Sequence, residues 1–378
     1  MNQATVEFRH VSKQYGPQGA VVDLSLTVPA GDICVLVGPS GCGKTTSLKM
    51  VNRLVEPSSG QVLIDGQDIM RVEVTELRRR IGYVIQQIGL FPHQTIADNV
   101  ATVPRLLGWP RARIQSRVEE LLELVGLDPG RVRDHYPSQL SGGERQRVGV
   151  ARAMAAEPPV MLMDEPFGAV DPIVRERLQN EFLRLHRALG TTVLFVTHDI
   201  DEAIKMGTRV AVMQQGGHLA QYAPPTELLL HPANDFVGRF VGTDRGLKRL
   251  TLLTVAEAKI QAGVVARVGE GARAAWRRAL EAESPWVLLL DRDDRPQGWM
   301  RVEQLAREGP LTADSMDASS PLVHYETTLR DALSMLLASA VQTAVVVDER
   351  GRYAGILTLD ELGIAFRSDA EPRAVEVA

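Results

Sequence analysis

The sequence predicts an α/β protein: a mostly parallel sheet covered by helices on both faces, followed by a second, smaller α/β module. Three observations predict this. Short apolar, β-branched runs alternate with stretches of helical periodicity. One glycine-rich turn, Gly38-Pro39-Ser40-Gly41-Cys42-Gly43-Lys44-Thr45, joins such a run to such a stretch. The last third of the chain repeats itself at an offset of 57 residues, Asp291 to Asp348.

The bounds agree. A chain of 378 residues holds two or three domains. Hydrophobic content of 44% and charged content of 24% are ordinary for globular material. A formal net charge of −5 gives no reason to expect a nucleic-acid partner. No apolar run approaches the ~18–20 residues that a membrane helix needs. No basic and apolar leader opens the chain, so export is not expected. Cys34 and Cys42 offer neither a metal site nor a disulfide framework and fit a reducing compartment. Cys42 reads as a small residue in a tight loop, in preference to an oxidation-sensitive thiol.

In chain order, residues 4–30 alternate apolar and polar and read as antiparallel strands, with a turn at Gly16-Pro17-Gln18-Gly19. Ile33–Val37 is a buried strand and Thr46–Leu54 a helix. Residues 60–69 form a further hairpin around Asp65-Gly66, and Ile81–Ile85 a strand ending in Gln86-Gln87. From about 95 to 157 the pattern is helical, an insertion in which Ile114, Val118, Leu121, Leu122 and Val125 recur at helical spacing. Val160–Met163 is a buried strand, 173–189 a helix and Val193–Val196 a strand. The polar stretch Thr243–Arg249 marks a boundary. Beyond it lie two helix–strand–strand–helix units, with strands Trp286–Leu290 and Ala344–Val347 and last helices ending at Leu305 and Leu362. Each alone buries little surface, so they pair. This divides the chain into 1–245, 246–310, 311–367 and a disordered tail, 368–378.

The chemistry concentrates in four places. Consecutive N–H groups of a glycine loop turn inward around an anion, and the following helix adds its dipole. Lys44 reaches β- and γ-phosphates, and the Thr45 hydroxyl suits Mg²⁺. Asp164 ends an apolar strand beside the loop, where a carboxylate holds that metal. Glu165 at the same strand tip polarises a water for attack on phosphorus. Ser141-Gly142-Gly143 opens a helix and forms a second anion cradle. One triphosphate rarely needs two cradles in one chain, so the second serves a partner's nucleotide.

Together these residues resemble the ATP-binding cassette family over roughly residues 4–242. Gly38–Thr45 is similar to its Walker A loop, Leu140–Glu144 (LSGGE) to its signature motif, and Met161–Glu165 to Walker B with the catalytic glutamate. Val170-Asp171 resembles the D-loop, His198 the switch histidine, Gln86 the lid glutamine and Tyr15 the aromatic that stacks on adenine. The resemblance implies a P-loop cassette with a RecA-like parallel core, an antiparallel β subdomain and a helical insertion. It implies a head-to-tail homodimer with ATP between Gly38–Thr46 of one copy and Ser141, Gly142 and Gly143 of the other. Thr45, Gln86 and Asp164 then surround Mg²⁺, Glu165 acts as base, and Lys44 and His198 contact the γ-phosphate.

One cassette and no membrane segment imply a separate permease, with the chain peripheral on the cytoplasmic face of the inner membrane. Residues 87–100 resemble the importer segment that docks a permease helix, and exposed Leu90, Phe91 and Ile96 would serve it. Packing of those residues against the helical insertion is the equal alternative. Thr46–Leu54, Ile88–His93, Asn234–Val237 and Thr243–Arg245 resemble bacterial osmoprotectant importers of the glycine betaine, carnitine, choline and proline class. In that class an extracytoplasmic binding protein selects the cargo, and a tandem pair of cystathionine-β-synthase (CBS) repeats regulates the ATPase. The first repeat here departs from the nucleotide-binding pattern, with Arg301 and Gln304. The second keeps Thr358 and has Glu361, leaving room for a regulatory nucleotide. The alternatives are import of another small polar solute such as an amino acid, a soluble cassette ATPase, which usually fuses two cassettes, and a P-loop kinase, which has no use for Ser141–Gly143.

Overall fold

The computed structural model describes residues 3–85, 89–168, 171–306, 309–312, 316, 319 and 321–367. The expected tail, 368–378, and the expected lid glutamine, Gln86, lie outside the described residues. The chain divides into two compact units, residues 1–243 and 244–378.

The first unit opens with β1 (Val6–Tyr15) and β2 (Gln18–Val28), paired antiparallel across the turn at Gly16-Pro17. Then come β3 (Ile33–Val37), α1 (Lys44–Val51), β4 (Ser59–Ile64), β5 (Gln67–Asp68), α2 (Val74–Arg79) and β6 (Ile81–Val84). A helical stretch follows: α3 (Ile96–Leu106), α4 (Arg111–Leu124), α5 (Pro129–Val132) and α6 (Gly142–Met154). The chain returns to the core through β7 (Val160–Asp164), α7 (Pro172–Leu189), β8 (Thr192–Thr197), α8 (Ile200–Met206), β9 (Arg209–Gln214), β10 (His218–Ala223), α9 (Pro225–Leu230) and α10 (Asp235–Val241). One sheet runs β2-β1-β4-β5 and is antiparallel. The other runs β10-β9-β3-β8-β7-β6, parallel except at β10. Every residue of β3, β7 and β8 is buried, which explains their unbroken apolar runs. β9 escaped sequence reading, although it pairs in parallel with β3. Its apolar run, Val210–Met213, is only four residues long between Arg209 and Gln214, too short for periodicity to single it out.

The second unit begins with α11 (Arg245–Arg249). It then contains β11 (Val265–Arg267), α12 (Ala272–Glu281), β12 (Trp286–Leu290), β13 (Pro296–Arg301) and a 3₁₀ turn at Val302–Ala306. Next come β14 (Leu322–His324), α13 (Leu329–Ala338), β15 (Thr343–Val347), β16 (Tyr353–Thr358) and α14 (Leu359–Arg367). Every element of the second series starts 57 residues after its counterpart, Val265 to Leu322 and Val302 to Leu359 among them. Even the register shift recurs, between Leu289 and Leu290 and between Val346 and Val347. The two three-stranded sheets share an apolar seam of Leu288, Leu290, Trp299, Val345 and Val347.

The two alternatives for residues 90–96 divide between residues. Ile96 is fully buried and follows the packing alternative, whereas Phe91 is exposed. The reason is local. Asn99, buried on α3, takes the Phe91 N–H at 2.7 Å and donates to the carbonyls of Phe91, Gln94 and Thr95. This clamp turns Ile96 inward as it holds Phe91 out. Asn99→Ala leaves that part-buried backbone without its side-chain partner and is expected to cost about 1–2 kcal/mol in urea unfolding. It should also speed amide exchange across residues 91–95, and equal exchange would contradict the clamp.

Candidate functional site

β3 delivers the glycine turn at its carboxyl end, where the chain leaves the sheet. All three of its glycines have positive φ, and two of them also approach other backbone too closely for a side chain. A Cβ on Gly38 (φ 154°) would lie 2.2 Å from the Met213 carbonyl oxygen, and one on Gly43 (φ 94°) 2.3 Å from that of Ala20. Gly43 is the left-handed residue that starts α1. The buried Lys44 ammonium donates to the Gly38 and Pro39 carbonyls at 2.7 and 2.9 Å. Cys42 is buried under this turn with Sγ 3.6 Å from Nζ, consistent with a small residue filling the loop. Ser40 and Gly41 are exposed on its outer rim, and Thr46 is half-buried on the first turn of α1.

The Thr45 hydroxyl, also on that turn, donates to Asp164 Oδ1 at 3.0 Å. Asp164 is only 4% exposed at the end of β7. Burial raises its carboxyl above the ordinary value, against the Thr45 hydrogen bond. Tyr83, on the neighbouring β6, is pushed up to about 12 by burial and then by the Asp164 charge. Glu165 takes a left-handed conformation, φ 46°, unusual for a side chain of its size. Its N–H donates to the Val196 carbonyl at 2.9 Å, and its carbonyl accepts from Gly168 at 3.2 Å. Held so, its Oε1 lies 3.1 Å from Nδ1 of His198, just past the end of β8. Sheet order β3-β8-β7 therefore lines up the glycine turn, His198 and the two carboxylates at adjacent strand ends.

Thr45 and Asp164 are hard oxygen donors side by side, one of them a desolvated carboxylate. Such a pair fits Mg²⁺, which takes one or two protein oxygens and keeps its other positions for water and phosphate. No group of three or more His, Cys, Asp or Glu side chains placed to hold a metal ion occurs among the described residues.

Ser141–Gly143 is built differently. Ser141 caps α6, and Glu144 closes the reciprocal box, accepting from the Ser141 N–H at 2.9 Å. Arg131, which sequence reading did not single out, holds Glu144 at 2.5 Å. Hydrogen bonds from Arg131 first, then from Ser141, drop the Glu144 carboxyl to about 2. Around Gly142 and Gly143 a Cβ would meet no atom within 4 Å, and neither has positive φ. Nothing in this chain's own packing requires glycine there. α6 packs on β6, the edge strand, which is three strand spacings, or about 14 Å, from β3. One long-range bond ties this helix to the carboxylates: buried Gln146 donates to the Pro166 carbonyl, one residue past Glu165.

The remaining expected residues are dispersed. Tyr15 is 54% exposed at the end of β1, with Lys13 Nζ 5.2 Å above its ring. Asp171 caps α7 by accepting from the Val174 N–H.

Comparison with known proteins fits this geometry. The family model described as "ABC transporter" matches residues 21–168, and the CBS domain model matches 313–365. The osmoprotectant import ATP-binding protein OsmV of Salmonella typhimurium is 46% identical over 368 residues, covering 97% of this chain and 96% of that protein. The glycine betaine/carnitine/choline transport ATP-binding protein OpuCA of Bacillus subtilis is 43% identical over 358 residues, covering 93% and 94%. Among solved structures, the bacterial ABC transporter cassette MJ0796, a dimer, is 32% identical with a TM-score of 0.53. That match covers 58% of this chain and 98% of the cassette. It was also solved in a post-hydrolysis state with ADP and phosphate.

The Glu144 box has a testable pH signature. Its folded pKa, about 2, lies below the ordinary 4.5. Its contribution is therefore complete above pH 4.5 and is lost as pH falls toward 2. The stability gap between wild type and Glu144→Gln in urea unfolding should be constant from neutral pH to about 4.5 and shrink below. A gap that does not narrow at pH 3 would contradict the assignment.

Proposed function

We propose a specific task for this chain, which belongs to the ATP-binding cassette transporter family: it hydrolyses ATP to drive import of quaternary-amine osmoprotectants through a separate membrane permease. The observation that carries the enzymatic part is the Glu165–His198 contact, 3.1 Å, beside the Thr45–Asp164 pair at adjacent strand ends. The cargo reading rests on the names of relatives such as OsmV and OpuCA, which align over nearly the whole chain, C-terminal module included.

The mechanism follows from the side chains. The Gly38–Thr46 turn cradles the triphosphate of ATP with its N–H groups, and Lys44 exchanges its own loop carbonyls for β- and γ-phosphate oxygens. Thr45 and Asp164, with Gln86, would hold Mg²⁺, which when bound neutralises charge between the β- and γ-phosphates. Glu165 accepts the proton of the attacking water. His198, bonded to its Oε1, orients that carboxylate and reaches the γ-phosphate. Tyr15, exposed at the end of β1, stacks on adenine. Ser141, Gly142 and Gly143 act on the nucleotide of a second copy. Their open surroundings and the absence of an internal need for glycine support close approach by a partner's phosphates.

The permease contact is assigned to a groove of about 250 Å³ beside edge strand β6, lined by Tyr83, Ile85, Phe91, Val103 and Arg152. Arg152 bonds the Gly89 carbonyl at 2.6 Å, and Asn99 holds Phe91 at the mouth. An amphipathic helix lays apolar anchors in such a groove. Gln146 then links α6, on its floor, to the residue after Glu165. In this reading the chain sits at the cytoplasmic face of the membrane, an extracytoplasmic protein selects the solute, and the repeat pair tunes the ATPase.

Four experiments test the reading. Glu165→Gln should lower ATP turnover by about 10³-fold and leave an ATP-bound dimer visible by size-exclusion chromatography. Gly142→Ala should fold with unchanged melting temperature yet lose turnover more than tenfold. A monomeric Glu165→Gln protein, or a fully active Gly142→Ala, would sink the shared-nucleotide arrangement. For the cargo, reconstituted importer should respond to betaine, choline, carnitine or proline presented on its binding protein. If the charged surface of the repeat pair senses ionic strength through screening, removing residues 246–378 should abolish the salt response of that transport. Response to an amino acid alone would overturn the substrate class, and an unchanged salt response the regulatory role.

A further inference from the structure

The second repeat is completed by residues that precede the first. Leu250, Val255 and Ala258 belong to its apolar core, with Val323, Leu336 and Val346. The Val255 and Ala256 N–H groups donate to the carbonyls of Thr327 and Tyr325. The next residues, 259–263, cross β16 as a strap before the first repeat begins at β11. Gln261 and Ile356 exchange backbone hydrogen bonds at 3.0 and 2.8 Å, and the Gly263 N–H donates to the Tyr353 hydroxyl at 2.7 Å. Gly355 (φ 157°) makes room, since a Cβ there would lie 2.3 Å from Ile260 Cγ2. The Gln261 side-chain amide donates to Oε1 of Glu361, on α14.

That last bond is half of what its acceptor needs. Glu361 is only 4% exposed, and its Oε2 has no hydrogen-bond partner among the described residues. A buried carboxylate oxygen without a donor is costly. Lifting the strap would let water reach both oxygens, so opening recovers solvation that closure withholds. Breaking the remaining strap bonds is offset in part by this gain, whereas unfolding the apolar core beneath has no such compensation. We infer that residues 259–263 are a releasable latch, bolted by Gln261 on Glu361, that opens locally while both repeats stay folded. The latch is a switchable joint: closed, it shortens the tether between residues 250–258, held on the second repeat, and β11 of the first. The inference is independent of what the importer carries.

Native-state hydrogen exchange of the full-length chain tests it. Gln261→Ala removes the bolt and should speed exchange of the Gln261 and Gly263 amides at least tenfold, with α13, β12 and β15 unchanged. Glu361→Gln keeps an acceptor but removes the charge that gains from hydration, and should slow the same two amides severalfold. A static structural contact moves neither amide in that direction. Exchange rising through α13 and β15 in Gln261→Ala, or no slowing in Glu361→Gln, would overturn the latch.

Discussion

The parallel pairing of β3, β8 and β7 is the constraint on which the cassette depends. All three strands are buried along their whole length, so none can slip register without moving a polar end into the core. That register ends the three strands side by side. The glycine turn, His198 and the Asp164-Glu165 pair therefore share one edge. Gly38 and Gly43 complete the constraint, because only a residue without Cβ lets the turn approach the backbones of Met213 and Ala20. The left-handed Glu165 is strain held by the same strands, through the Val196 carbonyl.

The site divides by what each glycine is needed for. The turn's Gly38 and Gly43 are required by this chain's own packing. Gly142 and Gly143 are not, and they stand on a helix tied to the edge of the sheet. Such a division suits a reaction centre assembled from two copies, with the capping box of Ser141 and Glu144 keeping the second cradle preformed at neutral pH. The Gln146–Pro166 bond gives a covalently short route from that helix to the strained Glu165 loop. The groove at Phe91 lies beside the same helix, so events there and at the carboxylates share one rigid element.

In the second unit two near-identical folds carry different polar chemistry. The 57-residue offset holds for every strand and helix, and for the register shift. Yet the second repeat has the buried Glu361, where the first has Gln304. Apolar seam residues set the shared architecture. Polar side chains such as Glu361 and Gln304 are where the two repeats differ.

Much of this was legible in residues alone. Unbroken apolar runs announced the buried strands, glycine spacing the phosphate turn, and self-similarity the paired repeats. These signals are local: each depends on what a residue does to its own backbone or to neighbours within a few positions. Whether Ile96 faced out or packed inward stayed open along the chain, because its burial is settled only by the fold around Asn99. β9 was missed because its pairing with β3 joins segments about 175 residues apart. Arg131, Gln146 and the Gln261–Glu361 bolt were equally silent, since a polar side chain's partner is chosen only when the fold brings it within about 3 Å. Sequence by itself determined most of the elements and named the candidate site residues. Tertiary structure alone decided which of them meet, because burial and hydrogen-bond distance are properties of the folded neighbourhood and have no counterpart along the chain.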